Sequence, residues 1–481
     1  MMPARVTRLA QVVAASMCMA WLSAGCVATN ESRCQTPADK AFRVLPIGIC
    51  EDYPEESRSI AAARRDLEVA ATNGLRVLRI AFGWDAMEPE RGQYDWSFWD
   101  QFVRMATEEF HIRLIPYVCY TPRWASTSNE DDFWQHPPRD SEDFARFMRA
   151  LVERYKTRIH SWELWNEPDN PAYWAGSVEQ FAGLLTAGAR AVRQTDPNAK
   201  VVFGGLAWDL NFLESVLTNG EAMEHVDVVN LHNYYETWSS EPLEYLPGYV
   251  GRARDILRQH GLDQPIWMAE VGYSSFRRGA HVSGQYRAQY GYEHTDNFQA
   301  AALFRMLTML AAMDDVSLIA WYRINDLPQT QEVIGDVNNR HLGVLDEQGG
   351  AKPAMHALRF FASLFGQGFR CIDHEVRVTA AVRPKFHAHA FELRDGRVVL
   401  VSWLQNHVYG QWRPGDGSTD NPRRGFVSVQ LPFGVSGSAS AFNAAGEPVR
   451  ATLARSATGS RVEMNVAASE TTIVLLRRAH R

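Results

Sequence analysis

Two glutamates stand at the ends of short apolar segments, in positions that suggest acid–base chemistry. Residues 161–168, with the sequence SWELWNEP, contain Glu167, and residues 266–270, with the sequence IWMAE, end in Glu270. Hydrolysis of a glycosidic bond needs one carboxyl group that protonates the departing oxygen and a second that attacks carbon or activates water. The two glutamates meet that need only if the fold brings them together.

The segments between residues 42 and 366 alternate between short apolar runs and longer amphipathic stretches. This alternation predicts repeated βα units, and continuous apolar strands predict a parallel sheet that is covered on its outer side. Eight such units close most economically into a (β/α)₈ barrel. A doubly wound sheet is the alternative, but no glycine-rich phosphate loop follows the first strand. The predicted strands are 44–49, 77–82, 113–117, 159–164, 201–204, 226–231, 266–269 and 317–321.

The barrel predicts where the two glutamates lie. Reacting groups of such barrels collect at the carboxyl ends of the strands, and Glu167 and Glu270 follow the fourth and seventh predicted strands. Glu163 is the nearest rival to Glu167, but it lies inside strand four, where we expect an outward orientation or a structural ion pair. For Glu270 the alternative is a helix cap, which the preceding apolar run makes less suitable.

At these residues the chain resembles the clan A glycoside hydrolases, and most closely family 39, which includes β-xylosidases, α-iduronidases and bacterial exopolysaccharide endoglycosidases. The resemblance covers the whole barrel, and its strongest element is the Trp-Asn-Glu-Pro sequence at 165–168. It implies that Glu167 is the general acid/base, that Glu270 is the nucleophile, and that Asn166 binds the 2-hydroxyl of the attacked sugar.

Further matches to the family pattern lie at other strand ends. They are Arg79 at the end of strand two, His232 and Tyr234 after strand six, and Trp321 at the end of strand eight. The resemblance implies that Arg79 and Tyr234 keep the nucleophile ionised and oriented, and that Trp321 forms the floor of a sugar subsite. For His232 we expect a contact with the sugar, with a hydrogen-bonded core imidazole as the alternative.

The composition predicts a globular protein of two domains. Of the 481 residues, 46% are hydrophobic and 22% are charged, which is near the average for folded soluble proteins. A helix from about 352 to 365 ends the predicted barrel, and short β-rich segments separated by turn residues follow it. Residues 367–481 are therefore expected to form a β-sandwich.

The charge and the cysteine spacing indicate which partners and metal sites the protein is expected to lack. The formal net charge is -7 and the basic residues are scattered, so we expect no nucleic-acid partner. Cys34, Cys50, Cys119 and Cys371 allow three pairings, among which the sequence does not choose. Because they lack CxxC spacing and an accompanying histidine cluster, we expect buried thiols or one disulfide and no metal site. The predicted chemistry requires no cofactor, and the sequence does not define the oligomeric state.

The first residues are typical of an export signal. Arg5 and Arg8 precede an apolar run at 9–22, and small residues at 23–25 precede Cys26. This pattern resembles a bacterial lipoprotein signal, which predicts a signal at 1–25, acylation of Cys26 and a linker at 26–41. The alternative is ordinary cleavage near Gly25 or Ala28. We therefore expect an exported protein that is lipid-anchored in the outer membrane or periplasm, or otherwise secreted.

Together these observations predict a retaining glycoside hydrolase that cleaves a β-linked polysaccharide or oligosaccharide, with endo action expected. The sequence does not reveal the sugar; the expected localisation suggests a polysaccharide of the bacterium's own envelope or biofilm, or a scavenged plant glycan. A transglycosylase would share every residue named above. A non-catalytic carbohydrate-binding or assembly lipoprotein on the same fold is the alternative from another class. Both glutamates and their supporting residues are present, which favours an enzyme.

Overall fold

The computed structural model describes residues 41–52, 59–239, 241–276, 295–330, 337–380, 386–405, 424–456 and 459–479. Within them, eight parallel strands form a closed barrel in chain order, and two antiparallel sheets follow. The predicted fold, a (β/α)₈ barrel with a C-terminal β-sandwich, is confirmed. The predicted signal at 1–25 and Cys26 lie outside the described residues. No helix of the described part has the length and apolar character needed to cross a bilayer.

The strands of the barrel follow the predicted apolar runs closely. The first is displaced, because Val44 is exposed and the strand begins at Ile47. The eight strands are β1 (Ile47–Glu51), β2 (Val77–Gly83), β3 (Arg113–Cys119), β4 (Ser161–Asn166), β5 (Lys200–Leu206), β6 (Val228–Asn233), β7 (Ile266–Val271) and β8 (Val316–Tyr322).

Helices cover the outside of the barrel. The helix at Ser141–Tyr155 is capped by Asp140, whose carboxylate accepts a hydrogen bond from the backbone N–H of Glu142. An aspartate there also has a favourable interaction with the helix dipole. The α-helices of the described residues are α1 (Ile60–Thr72), α2 (Trp84–Met87), α3 (Ser97–Arg104), α4 (Ser141–Tyr155), α5 (Val178–Thr195), α6 (Leu210–Thr218), α7 (Leu246–Gln259), α8 (Asp296–Ala311) and α9 (Pro353–Phe365).

An apolar layer fills the lower interior of the barrel, near the starts of the strands. It comprises Val77, Ile115, Val202, Val228, Trp267, Ala269 and Leu318, all buried. Side chains two residues further along a strand point to the same face. The layer therefore fixes which residues of each strand face inward at the barrel mouth above it.

The C-terminal region consists of two antiparallel sheets. One has the order β10-β13-β17-β16 and the other β15-β14-β18-β12-β11-β9. Their strands are β9 (Phe369–Cys371), β10 (Arg377–Ala380), β11 (Phe386–Leu393), β12 (Arg397–Leu404), β13 (Arg424–Leu431), β14 (Val435–Phe442), β15 (Pro448–Val449), β16 (Ala451–Ser456), β17 (Gly459–Ala467) and β18 (Thr472–Arg478).

The sandwich is bonded directly to the barrel. Arg305, buried on α8, donates to Thr471 Oγ1 at 3.0 Å and to the carbonyls of Ala468 and Glu470, both at 2.8 Å. On another face, Trp403 Nε1 of β12 donates to Glu244 Oε1 at 2.9 Å. These contacts agree with a packing role for the sandwich.

Candidate active site

Arg79 occupies the centre of the barrel mouth. It is fully buried and lies two residues after Val77, so its side chain faces inward above the apolar layer. Its Nε and Nη2 donate to the two oxygens of Glu163, each at 2.8 Å, and its Nη1 donates to Glu270 Oε2 at 2.6 Å. Nη2 also donates to Asn166 Oδ1 at 2.8 Å. One guanidinium group thus connects β2, β4 and β7.

Glu163 lies inside the barrel, in the structural ion pair that was one of the two expectations for it. Besides Arg79, its Oε1 accepts hydrogen bonds from Gly205 N at 2.8 Å and from Asn230 Nδ2 at 2.9 Å. With this many donors and no exposure, its carboxylate is fully engaged in structure. Its ion pair with the buried Arg79 indicates a structural role rather than that of the acid.

An irregularity in β7 brings Glu270 into the site. Trp267 and Ala269 face inward, so regular alternation would turn Glu270 outward. The pairing register of β7 shifts between Met268 and Val271, and such a bulge re-aims a side chain. Glu270 Oε1 accepts from Tyr234 Oη at 2.7 Å, and Oε2 accepts from Arg79. Both carboxylate oxygens are therefore held in place.

Cys50 is a further neighbour of the nucleophile candidate that sequence reasoning did not identify. Its thiol lies 3.3 Å from Arg79 Nη1 and 3.7 Å from Glu270 Oε2. Burial raises the pKa of the Cys50 thiol well above its usual range, although the Arg79 charge opposes this. The thiol is thus neutral and available as a weak hydrogen-bond donor to Glu270.

A local backbone distortion places Asn166 and Glu167. Trp165 and Glu167 have φ values of +79° and +45°, a region that side-chain-bearing residues seldom adopt. The indole of Trp165 is buried and its Nε1 donates to Tyr173 O at 3.1 Å, which anchors the distorted turn. Such distortion concentrates at functional sites. Here it turns the carboxyl group of Glu167 toward the mouth.

Glu167 lies in a low-dielectric environment. Its Oε2 accepts a hydrogen bond from Asn170 Nδ2 at 2.8 Å, and its Oε1 lies 2.9 Å from His232 Nδ1. Burial raises the pKa of Glu167 to about 7, although Asn170 and Arg79 act in the opposite direction. Glu167 therefore holds a proton at neutral pH in a large fraction of molecules, as a general acid requires.

His232 is a neutral hydrogen-bond donor to Glu167. Burial lowers the pKa of His232 to about 4. Asn230 Oδ1 accepts from Ala269 N at 2.9 Å, so the Asn230 amide nitrogen is the group that lies 3.4 Å from His232 Nε2. A donor at that nitrogen requires Nε2 to be the acceptor, which leaves the proton on Nδ1, facing Glu167.

The aromatic residue of β8 that faces the mouth is Tyr322. Leu318 belongs to the interior layer, and Tyr322 lies four residues further along the same strand, so its side chain also faces inward. In the register between β1 and β8, Tyr322 lies beside Cys50, which faces inward as well. Its ring centroid lies 6.3 Å from that of Tyr234, and its hydroxyl donates to Asp52 Oδ2 at 3.2 Å. Trp321 points to the opposite face and is buried in the outer core. The structure therefore does not bring Trp321 together with the other predicted site residues.

The two glutamates lie close together across the mouth. Carboxylate oxygens of Glu167 and Glu270, together with a ring nitrogen of His232, all lie within 4.8 Å of one another. Three such ligand atoms have the spacing of a metal site. However, the Arg79 guanidinium and the Tyr234 hydroxyl already occupy both oxygens of Glu270, and a cation next to Arg79 would be repelled. The arrangement suits chemistry by two carboxyl groups.

A (β/α)₈ barrel with paired glutamates at the ends of its fourth and seventh strands is the arrangement typical of clan A glycoside hydrolases. The profile of one family, Cellulase (glycosyl hydrolase family 5), matches residues 56–302, just over half of the 481-residue chain. The chain belongs to this family. The clan A assignment made from the sequence motifs is confirmed.

Relatives of known activity are similar over part of the chain. Endo-1,4-beta-xylanase B of Humicola insolens is 25% identical over 186 residues, which is 34% of this chain and half of the xylanase. Among solved structures, a family 39 glycoside hydrolase from Bacteroides cellulosilyticus WH2 aligns with a TM-score of 0.61 and 16% identity, over 90% of this chain and 81% of that one. A monomeric beta-xylosidase from Caulobacter crescentus CB15 gives 0.62 and 18%, over 92% and 97%. These similarities show that the chain shares its fold with both structures, one of which is a family 39 enzyme.

Proposed function

We propose that this glycoside hydrolase cleaves β-linked polysaccharide or oligosaccharide with retention of anomeric configuration, by double displacement. The observation that carries this proposal is the closest approach of the two carboxyl groups: one oxygen of Glu167 lies within 4.8 Å of one oxygen of Glu270, whose two oxygens are held by Arg79 and Tyr234. Carboxyl groups of retaining enzymes are about 5 to 5.5 Å apart, whereas inverting enzymes keep roughly 6.5 to 9.5 Å for a water molecule. The short spacing favours direct attack by one carboxylate.

In the first step Glu270 attacks the anomeric carbon. A bond forms between a Glu270 oxygen and that carbon, the bond to the departing oxygen breaks, and Glu167 transfers its proton to that oxygen. Arg79 and Tyr234 donate hydrogen bonds to the two oxygens of Glu270 and orient the carboxylate for the attack. Asn166 Oδ1 is engaged by Arg79, so its amide N–H groups remain to donate to a sugar hydroxyl.

In the second step water replaces the enzyme on the sugar. Glu167, now ionised, accepts a proton from the water molecule, whose oxygen bonds to the anomeric carbon while the ester bond to Glu270 breaks. The N–H groups of His232 and Asn170 donate to the Glu167 carboxylate and stabilise it in this interval. The step regenerates Glu270 as a carboxylate and Glu167 as an acid.

The substrate class and the location form the finer part of the proposal. The xylanase relative is named for cleavage of β-1,4 linkages, and its similarity favours a β-linked chain for this protein. The lipoprotein-type signal before Cys26 supports export and a lipid anchor at the cell envelope. An envelope polysaccharide, an exopolysaccharide or a scavenged β-glycan would then be within reach of the enzyme.

The proposal is tested by nucleophile rescue. Glu270→Ala should abolish turnover of every substrate, and azide should restore some turnover and yield a glycosyl azide with inverted configuration. Glu167→Ala should retain partial activity on aryl glycosides with acidic leaving groups while hydrolysis of natural glycans collapses. Glu214→Ala, at an exposed position on α6, is the matched control and should behave like wild type.

Two results would contradict the proposal. One is an inverted configuration of the first-formed sugar, observed by NMR during hydrolysis by the wild-type enzyme. The other is a folded Glu163→Ala variant that shows the leaving-group pattern while Glu167→Ala remains near wild type. The latter would transfer the role of acid to Glu163, which the structure places in the Arg79 ion pair.

A further inference from the structure

Asn230 is a fully buried asparagine of β6 whose side chain contacts three groups near the two catalytic carboxyl groups. Its Oδ1 accepts a hydrogen bond from Ala269 N at 2.9 Å. Its Nδ2 donates to Glu163 Oε1 at 2.9 Å and lies 3.4 Å from His232 Nε2. The oxygen and both N–H groups of the amide are thus engaged inside the barrel. Because the side chain is buried, it acts on its neighbours and not on the substrate.

Ala269 lies in the bulge of β7 that precedes the nucleophile. In the register of β6 with β7, Asn230 lies beside Trp267. Two residues further along β6 the partner is Glu270, which is three residues further along β7. One residue of β7 is therefore extra, and such a residue is left out of the ladder. A buried backbone N–H without an acceptor is costly, so the Asn230 oxygen stabilises the bulge that turns Glu270 inward.

The orientation of the Asn230 amide is fixed from two sides. Its oxygen faces the backbone N–H of Ala269, and its nitrogen faces the Glu163 carboxyl group. A flipped amide would place oxygen against oxygen and N–H against N–H, with a hydrogen bond on neither side. The nitrogen therefore also faces His232 Nε2, which must accept. The imidazole proton is thus on Nδ1, 2.9 Å from Glu167 Oε1.

We propose that Asn230 is a positioning residue for both catalytic carboxyl groups. Its oxygen holds the bulge that orients Glu270. Its amide hydrogen fixes the His232 tautomer that donates to Glu167. This inference rests on the proposed retaining hydrolysis. Loss of the amide should impair both attack at the anomeric carbon and protonation of the departing oxygen.

The test compares two aryl β-xylobiosides or aryl β-cellobiosides, one with a 2,4-dinitrophenyl and one with a phenyl leaving group. A misoriented nucleophile slows cleavage of both, whereas a weakened acid slows only the phenyl substrate, whose leaving group needs a proton. Asn230→Ala should lower kcat/KM for the dinitrophenyl substrate by about ten- to a hundredfold. For the phenyl substrate the loss should be larger by a further factor of about ten. Active enzyme is counted with a 2-deoxy-2-fluoro glycoside that traps the glycosyl-enzyme.

Asn230→Asp separates the two effects. It keeps a side-chain oxygen for the Ala269 N–H, so the bulge retains its acceptor. The new carboxyl group holds at most one proton and shares it with the adjacent Glu163 carboxylate, so His232 Nε2 must become the donor. Asn230→Asp should therefore lose less than Asn230→Ala with the dinitrophenyl substrate, while the ratio between the two substrates still changes. The ¹⁵N chemical shifts of the His232 ring should indicate Nδ1–H in wild type and Nε2–H in Asn230→Asp.

Two further variants complete the comparison. Asn198→Ala is the matched control, because Asn198 is an exposed asparagine before β5, and it should change neither kcat/KM nor the ratio. In a His232→Ala background, Asn230→Ala should no longer change the ratio between the substrates, because its effect on the acid passes through the imidazole. It should still lower kcat/KM for the dinitrophenyl substrate.

Equal losses for the two substrates in Asn230→Ala, or an Nδ1–H tautomer that persists in Asn230→Asp, would overturn this inference and leave the proposed hydrolysis intact. So would wild-type kcat/KM for the dinitrophenyl substrate in Asn230→Ala. If Asn230→Ala does not fold, the ratio and the tautomer in Asn230→Asp decide the question. If the wild-type enzyme forms no glycosyl-enzyme from any aryl β-glycoside, the proposed function fails and this inference fails with it.

Discussion

Gly205 lies directly against the imidazole of His232. A Cβ atom at Gly205 would come within 1.9 Å of His232 Nε2, far closer than side chains approach one another. Strand β5 must therefore carry no side chain at this position if His232 is to reach Glu167.

Gly205→Ala should displace His232 and break its hydrogen bond to Glu167. We expect a loss of activity together with a destabilisation of about 1–3 kcal/mol, typical of overpacking. Steady-state kinetics and thermal unfolding measure both effects. Gly251→Ala in α7 is the control, because nothing lies within 4 Å of the added methyl group, and it should match or slightly exceed wild-type stability. Wild-type kinetics in Gly205→Ala would refute the packing argument.

Activity should fall as the pH rises through about 7, the pKa to which burial raises Glu167. The first step needs the protonated acid, and its fraction declines above that pH. The basic limb of the kcat/KM profile should therefore disappear in Glu167→Gln assayed with an activated aryl glycoside. A basic limb that persists in the variant would assign it to another group.

The folded state also binds the Glu167 proton more tightly than the unfolded state. Its stability therefore declines as the pH rises from the ordinary glutamate range to about 7. Above pH 7, Glu167→Gln should unfold at a higher temperature than wild type.

Arg79→Lys should impair catalysis although the positive charge is kept. A single ammonium group cannot reproduce the planar set of donors that binds Glu163, Asn166 and Glu270 together. Loss of a charge-assisted bond to Glu270, worth roughly 1.5–3 kcal/mol, corresponds to a decrease in kcat of about ten- to a hundredfold. The thermal midpoint should fall as well. Arg64→Lys, in an exposed ion pair with Glu109, should change neither quantity. Equal kinetics for the two variants would show that the Arg79 network does not orient the nucleophile.

Trp321 and Tyr322 should respond oppositely to truncation. Trp321→Ala removes a ring from the outer core and should destabilise the fold by about 3–5 kcal/mol. Tyr322→Ala removes an aromatic residue from the mouth and should affect KM and kcat more than thermal stability. The reverse pattern would mean that Trp321 contacts the sugar, as the sequence resemblance implied.

Cys26→Ser tests the proposed anchor in cells. We expect wild type to fractionate with membranes and to carry acyl chains on Cys26, and the variant to lose both properties. Mass spectrometry of the mature N-terminus and membrane partition provide the measurement. Unchanged processing and partition in the variant would favour ordinary signal cleavage.

The sequence predicted the barrel because continuous apolar runs are visible without tertiary information. It also placed Glu167 and Glu270 at strand ends, since a polar residue after such a run is a local signal. It did not reveal the bulge that turns Glu270 inward, because the shift depends on pairing with β6 and β8. The contact of Cys50 with Glu270 joins residues 220 positions apart and has no local signal.

Other differences between the predicted and the observed structure also arise because a single sequence lacks the necessary tertiary information. Whether Trp321 or Tyr322 faces the mouth depends on strand alternation counted from Leu318, and an error of one residue reverses the answer. In the sandwich, the small residues of β14, such as Ser436, Ser438 and Ser440, lack the apolar alternation of the neighbouring strands, so the sequence gives only a weak strand signal there.

The buried Arg305 determines whether the barrel can be separated from the sandwich. Its guanidinium group is hydrogen-bonded by the loop between β17 and β18, through Ala468, Glu470 and Thr471. A barrel severed from the sandwich would lose those acceptors and expose the surface around Arg305 that the sandwich covers. We therefore expect the two parts to unfold together. The sandwich is not an interchangeable module, and its exchange between related enzymes requires that this contact be rebuilt.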